Sequence, residues 1–241
     1  MKLRNTAAAL IAVAFAATLG ACDLIRIEER RGAFWEAFVF GPAVDEVERF
    51  HTLEQMLVAS DAVITARVRD VAISRILGAE PGENGIAYIR VELDVDHVIA
   101  GQAPASVPVE FIAFGAPDGG AVLVERLKRQ LPVDSAVVFL HAKRGANEAG
   151  LYRVTSSTGL WAPTARSRLD SPLRMDTPEA SGLFAAELAG ITDLAGLVAL
   201  LADYAQETSR AVSAELAESD AAAGARTTSV ARSGRPGATS G

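Results

Sequence analysis

The chain has 241 residues, 50% hydrophobic and 22% charged, a globular composition with room for one or two modest domains. A formal net charge of −7 makes it a poor partner for nucleic acid or anionic headgroups, because phosphate binding needs a basic field. A single cysteine excludes an internal disulfide, so the core must hold by packing alone.

Lys2 and Arg4 open the chain ahead of a thirteen-residue apolar run from Ala7 to Leu19. That is the length of a signal-peptide core and short of the ~20 residues a membrane-spanning helix needs. Two small residues, Gly20 and Ala21, then precede Cys22. Leu19-Gly20-Ala21-Cys22 resembles the lipobox of bacterial lipoproteins, with Gly20 a less usual but tolerated residue. The resemblance implies cleavage before Cys22 and acylation of its thiol, so the membrane is an expected partner through Cys22. Each buried methylene contributes ~0.8 kcal/mol, so two or three acyl chains would hold a soluble domain durably. Cleavage removes two bases and no acid, moving the net charge from −7 to −9. The expected location is extracytoplasmic and lipid-anchored. Asp23 would favour the inner membrane in enteric bacteria, but the choice of membrane stays open.

Leu24, Ile27, Phe34, Trp35 and Phe38 fall near helical spacing, with charged residues between them. A helix packing on the folded domain is the favoured reading, and an interfacial helix lying on the bilayer is the alternative. After the Gly41-Pro42 break, Val44 to Ser60 predicts a second helix carrying Val47, Phe50, Leu53 and Leu57, with His51 on it.

From Asp61 the period changes to two. Ile64, Ala66 and Val68 alternate with Thr65, Arg67 and Arg69, predicting a first strand. Ser74 to Gly85 holds Pro81-Gly82 and Asn84-Gly85 and predicts a loop. A long second strand runs from Ile86 to Ile99, with Ile89, Val91, Leu93 and Val95 on one face and Arg90, Glu92, Asp94 and Asp96 on the other. Val107, Val109 and Phe111 mark a third strand. Val122 to Gln130 predicts a helix that Pro132 ends. Ala136 to Leu140 predicts a buried fourth strand, and Tyr152 with Val154 marks a fifth after the polar loop Lys143–Gly150.

Three strands, a helix and two strands is the order of an OB-type barrel. The fold class is therefore mainly β with flanking helices (α+β), a five-stranded OB-like barrel with a helix between strands 3 and 4 and a C-terminal helix. Ala59-Ser60-Asp61-Ala62 leading into Val63–Val68, the stretch Val95–Gly101, and Val137–Leu140 resemble netrin-like domains, the OB-type barrels related to tissue inhibitors of metalloproteinases. The resemblance covers about residues 50–160; an immunoglobulin-like sandwich or another small barrel is the alternative. Those inhibitors chelate zinc through a free N-terminal cysteine and brace the barrel with disulfides. Here Cys22 would be acylated and no second cysteine exists, so protease inhibition does not carry over.

No HExxH, P-loop, GxSxG, CxxC or EF-hand spacing occurs. His51, His97 and His141 are scattered, which favours separate surface or core residues over a metal site. Asp94 and Asp96 share a strand face, and a solvated face is the simpler reading. Ser156-Ser157-Thr158-Gly159 reads as a plain turn. OB-type barrels bind through strands 2–3 and the loops joining strands 1–2 and 4–5. That surface holds the candidate partner-binding residues Arg90, Glu92, Asp94 and Glu110, with Tyr88 its single aromatic and an acidic balance. A protein partner fits better than stacked bases. No metal ligand or cofactor is expected.

Trp161 would plug a barrel end. Thr192 would cap a helix whose Leu194, Leu197, Val198, Leu201 and Tyr204 form an apolar stripe. The expected organisation is a signal peptide at 1–21, an anchor-proximal helical segment at 22–60, the barrel at 61–165, a return segment and helix at 166–218, and a disordered tail at 219–241. The expected function is a non-enzymatic binding or adaptor module of the bacterial cell envelope. An envelope hydrolase with an unrecognised site, or a purely structural lipoprotein, is the alternative.

Overall fold

The computed structural model describes residues 33–38, 50–78, 85–113, 120–163, 169–171, 173 and 184–232, with side chains as far as residue 215. Helices α1 (Ala33–Glu36) and α2 (Leu53–Ala59) precede strands β1 (Ala62–Leu77), β2 (Ile86–Gly101) and β3 (Ser106–Ala113). Helix α3 (Ala121–Lys128) leads to β4 (Ala136–Ala142) and β5 (Tyr152–Val154). Strands β6 (Leu160–Pro163) and β7 (Leu169–Asp170) and the long helix α4 (Leu194–Arg232) complete the order.

β1, β2 and β3 form an antiparallel meander, and β1 also pairs with β4 over Ala62–Ala66. β5 pairs antiparallel with β4 and touches β3 in parallel at Tyr152 and Val109, which closes a five-stranded barrel. This is the OB-like α+β fold. Alternation fills its interior: Ile64, Ala66, Ile89, Val91, Leu93, Val107, Val109 and Phe111 are buried in one core with Val138 and Leu140. α3 adds Val124 and Leu127 to that core.

β1 reaches Leu77, well into the stretch expected to be a loop. Its pairing with β2 shifts register between Val68 and Asp70 and again between Ile73 and Arg75. Each shift offsets the side-chain alternation, so the sequence loses its period of two while the strand continues. The result is a long two-stranded arm whose last pair is Leu77 opposite Ile86.

The barrel carries a second apolar layer outside it. Val63, Val137 and Phe139 face outward and pack with Leu53, Met56 and Leu57 of α2, Trp161 of β6, Phe184, and Leu197 and Leu201 of α4. Trp161 therefore lies in this outer layer against Phe184, with ring centroids 6.3 Å apart, and is not a barrel plug. The plug is aromatic but N-terminal: Phe34, Trp35 and Phe38 are buried in the barrel core, with Phe38 4.6 Å and Trp35 6.0 Å from the Phe111 ring. These three follow the favoured reading, a segment packed on the domain; Leu24 and Ile27 lie outside the described residues.

Three helix ends differ from expectation. α2 begins at Leu53 with Thr52 as N-cap, its side chain accepting from the Gln55 amide, so His51 precedes the helix and is exposed. Residues 41–49 lie outside the described residues. Asp193, not Thr192, caps α4, accepting from the Gly196 amide at 2.9 Å. α4 also continues to Arg232, past the expected start of a disordered tail at 219. Residues 233–241 lie outside the described residues. The apolar stripe of α4 does pack, with Leu197 and Leu201 buried and Leu194, Val198 and Tyr204 against them. Among the described residues no helix is long and apolar enough to cross a membrane.

Gly101 closes β2 at the barrel end opposite the arm. Its φ is +72°, and a Cβ there would lie 2.1 Å from the Asp61 carbonyl oxygen. Gly101→Ala is expected to cost about 2 kcal/mol or more, from left-handed strain plus the backbone clash. Asparagine tolerates the left-handed region but keeps the Cβ, so Gly101→Asn should also destabilise. The check is a urea midpoint for each variant; a midpoint unchanged in Gly101→Asn would remove the clash from the explanation.

Candidate functional site

The outer face of β1, β2 and β3 is where the candidate residues fall. Arg90, Glu92 and Asp94 alternate outward along β2, and Glu110 stands opposite Arg90 on β3. The structure brings all four to one face but gives them two different environments.

Arg90, Glu92 and Asp94 belong to a mixed-charge strip. Arg69 reaches Glu92 at 3.7 Å and Asp94 at 3.3 Å, and Arg90 Nε lies 2.9 Å from Glu92. Further along, Arg67 pairs with Asp96 at 2.8 Å, and the Ser135 hydroxyl donates to the same carboxylate at 2.7 Å. The Ser135 hydrogen bond and the Arg67 guanidinium, outweighing burial, hold the Asp96 carboxyl below its ordinary value. Arg67 and Arg69 come from β1 and match acids of β2 across the strand pair, and Arg90 meets Glu92 along β2 itself, so the strip is of mixed charge where the alternation of β2 alone suggests an acidic face. Arg69 and Asp94 stay about half exposed, at 52% and 50%.

Glu110 is different: its side chain is 0% exposed. The Ser74 hydroxyl and the Lys143 ammonium donate to its two oxygens, and Arg75 Nη2 lies 3.0 Å away. Glu148 closes the ring, accepting from Arg75 and, at 3.1 Å, from Lys143. Tyr88 supplies a floor, its ring centroid 4.6 Å from the Arg75 guanidinium carbon and 5.3 Å from Lys143 Nζ. Two cations face two anions. Burial pushes the Glu110 carboxyl up, but the bonds from Lys143 and Ser74, with the Lys143 and Arg75 charges, outweigh it and hold the carboxyl below its ordinary value. Bonds from Arg75 and Lys143 likewise lower the Glu148 carboxyl, and Glu148 in return raises Arg75.

This ring links the arm (Ser74, Arg75), β3 (Glu110) and the β4–β5 loop (Lys143, Glu148) across the face that OB-type barrels use for ligands. Its chemistry is that of an internal clamp, with each carboxylate compensated by cations of the same chain. Glu110 is thus a buried tie and not a contact residue, while Arg90 and Asp94 remain accessible.

The histidines separate. His51 and His97 are exposed, and His141 is half-buried at the end of β4, with Nδ1 3.5 Å from an Asp61 carboxylate oxygen but making no hydrogen bond. The same carboxylate accepts from the Ala142 amide at 2.8 Å, tying the start of β1 to the end of β4. Nearby hydroxyls are engaged: Ser60 donates to the Met56 carbonyl and meets Thr155, and Ser156 and Thr158 hydrogen-bond each other in a buried turn. Among the described residues, no three His, Cys, Asp or Glu side chains are grouped to hold a metal ion. Cys22 lies outside the described residues.

Sequence reasoning reached Glu110 and both loops but not their coupling. Ser74, Arg75 and Lys143 lie 36, 35 and 33 positions from Glu110, and no local pattern announces such a pairing. The one available signal was Glu110 itself, a carboxylate in an otherwise uncharged eight-residue strand. No family model matches the chain, and neither the curated proteins nor the solved structures compared with it give a match.

Proposed function

We propose that the chain is a lipid-anchored, extracytoplasmic protein of the bacterial envelope whose barrel is a non-enzymatic binding or adaptor module. Leu19–Cys22 supports the anchor. The binding reading rests on one observation above the rest: the mixed-charge strip of Arg67, Arg69, Arg90, Glu92 and Asp94 on the paired stretch of β1 and β2. Half-exposed charges in fixed register favour electrostatic complementarity with a protein, which sets specificity and encounter rate more than raw affinity. The Glu110 clamp sets the shape beside it and leaves the strip as the accessible part of the face.

The test is a photo-crosslinker at Asp94 in the full chain, in cells. A specific covalent adduct with an envelope polypeptide is expected, weakened about tenfold or more when the Arg69→Glu change reverses the central charge. Absence of a specific adduct, or one indifferent to Arg69→Glu, would count against the strip as the binding surface. Anchorage is tested separately: labelled palmitate should enter the wild type and not Cys22→Ser.

A further inference from the structure

We infer that Arg75 and Lys143, over the Tyr88 ring, form a carboxylate-binding subsite that Glu148 fills as a built-in ligand, and that an Asp or Glu side chain of a protein partner displaces Glu148 there. This names the partner's chemistry for the binding-module reading above, and rests on that reading. The two carboxylates of the ring are not equally held. Glu110 is sealed, at 0% exposed, whereas Glu148 is 22% and Arg75 29% exposed. Solvent therefore reaches the ring from the Glu148 side, on the face that OB-type barrels use for ligands. With Glu110 fixed in place, the two cations keep one further charge, which Glu148 cancels. The group that fills the subsite here, a carboxylate, names the class of ligand it takes.

Glu148 is seated by side-chain contacts that an outside carboxylate can replace. Its Oε1 accepts from both Arg75 Nη2 and Lys143 Nζ, the latter at 3.1 Å. Arg75 Nη2 is shared again with Glu110 Oε2 at 3.0 Å, while Arg75 Nε is buried and has no hydrogen-bond partner among the described residues. A guanidinium pairs best with a carboxylate through two parallel N–H···O bonds, so an incoming carboxylate has a donor to gain that Glu148 leaves idle. Glu148 Oε2 is pressed against Gly145, where a Cβ would come within 2.5 Å of it. The backbone beneath is held independently. The Lys143 amide donates to the Leu151 carbonyl at 2.9 Å, and the Glu148 and Leu151 amides donate to the Gly145 and Glu148 carbonyls at 3.0 Å. The side chain can therefore leave while the turn persists. A tethered occupant competes at an effective concentration of about millimolar, and the apparent affinity for an outside carboxylate falls with the fraction of time the subsite stands open.

The test titrates the full chain with a fluorescently labelled tetraglutamate peptide, followed by anisotropy, and with glutarate as the small-molecule arm. Glu148→Gln should bind the peptide about tenfold or more tighter than wild type, since the internal competitor is gone. Gly145→Ala expels the same carboxylate without changing any charge and should tighten binding by about threefold or more. Adding Arg75→Met to Glu148→Gln leaves Lys143 balanced by Glu110 and should abolish the gain, with a urea midpoint to confirm that the double variant folds. In the wild type, saturating peptide should shift the Arg75 Nε–H resonance, a readout that needs no substitution. No gain in Glu148→Gln, or a gain that survives Arg75→Met, would overturn the subsite. A gain in Glu148→Gln with none in Gly145→Ala would reduce the effect to net charge and overturn it equally. Glutarate binding as tightly as the peptide would overturn the protein source of the carboxylate. Each of these outcomes leaves the Asp94 crosslink untouched, and that crosslink tests the strip by itself.

Discussion

Replacing Glu110 by alanine is expected to destabilise the fold by about 3 kcal/mol, the lower end of what breaking a buried ion pair costs. The discount reflects Glu148, which stays behind to face Arg75 and Lys143. The origin is less the lost attraction than two cations left short of one anion in a site closed by the β4–β5 loop. Removing both partners in Glu110→Gln/Lys143→Met should therefore cost less than the two single changes summed, with a coupling of about 1–3 kcal/mol. Strict additivity in urea denaturation would show that the ring is not a unit. The pH dependence has a definite sign. Glu110, Glu148 and Asp96 are held below their ordinary values, so their contribution is fully present above the unfolded-state values of about 4.3 for Glu and 3.9 for Asp. It is lost as pH falls through the lower folded-state values. Wild-type stability from these groups should be flat from neutral pH down to about 5 and then fall, and Glu110→Gln should fall less steeply.

The barrel was legible because its strands repeat local rules. In β2 the inward Ile89, Val91 and Leu93 and the outward Arg90, Glu92 and Asp94 mark the two faces of the wall directly. The continuous apolar run Ala136–Leu140 also has a plain cause: Ala136, Val138 and Leu140 face the barrel, while Val137 and Phe139 face the outer layer under α2 and α4. Sequence reading failed where register or distance intervenes. Ser74 to Leu77, the last four residues of β1, were expected to be loop because register shifts before them break the alternation and Pro81-Gly82 and Asn84-Gly85 follow. Trp161 went to the wrong layer because its partner Phe184 is 23 positions away, on a segment with no period of its own. The face around Glu92 and Asp94 looked acidic because Arg69, which pairs with both, stands on the neighbouring strand, visible only once β1 and β2 are in register. Charge along one strand is a poor guide to charge across a sheet.

Trp35→Ala is the second large effect, expected to cost about 3–5 kcal/mol, the range for removing a buried tryptophan or phenylalanine. Trp35 is 2% exposed, edge-on to Phe34 at 4.9 Å and 6.0 Å from Phe111. The same change separates the two placements open to this stretch. A tryptophan at a bilayer interface would contribute to membrane partitioning and little to barrel stability; one in the barrel core must contribute to folding with or without lipid. Denaturation of the full chain in detergent-free buffer and on vesicles should show the same loss, and Trp35 emission, read in a Trp161→Phe background, should not move when vesicles are added. A stability loss below about 1 kcal/mol, the range of an ordinary surface change, would return Trp35 to the interface. Nor can Trp35 serve both places. By committing its aromatic residues to the barrel, the segment after Cys22 gives up the role of interfacial helix at residues 33–38. It also fixes the barrel end that this segment enters, the end carrying Phe111 and the β1–β2 arm.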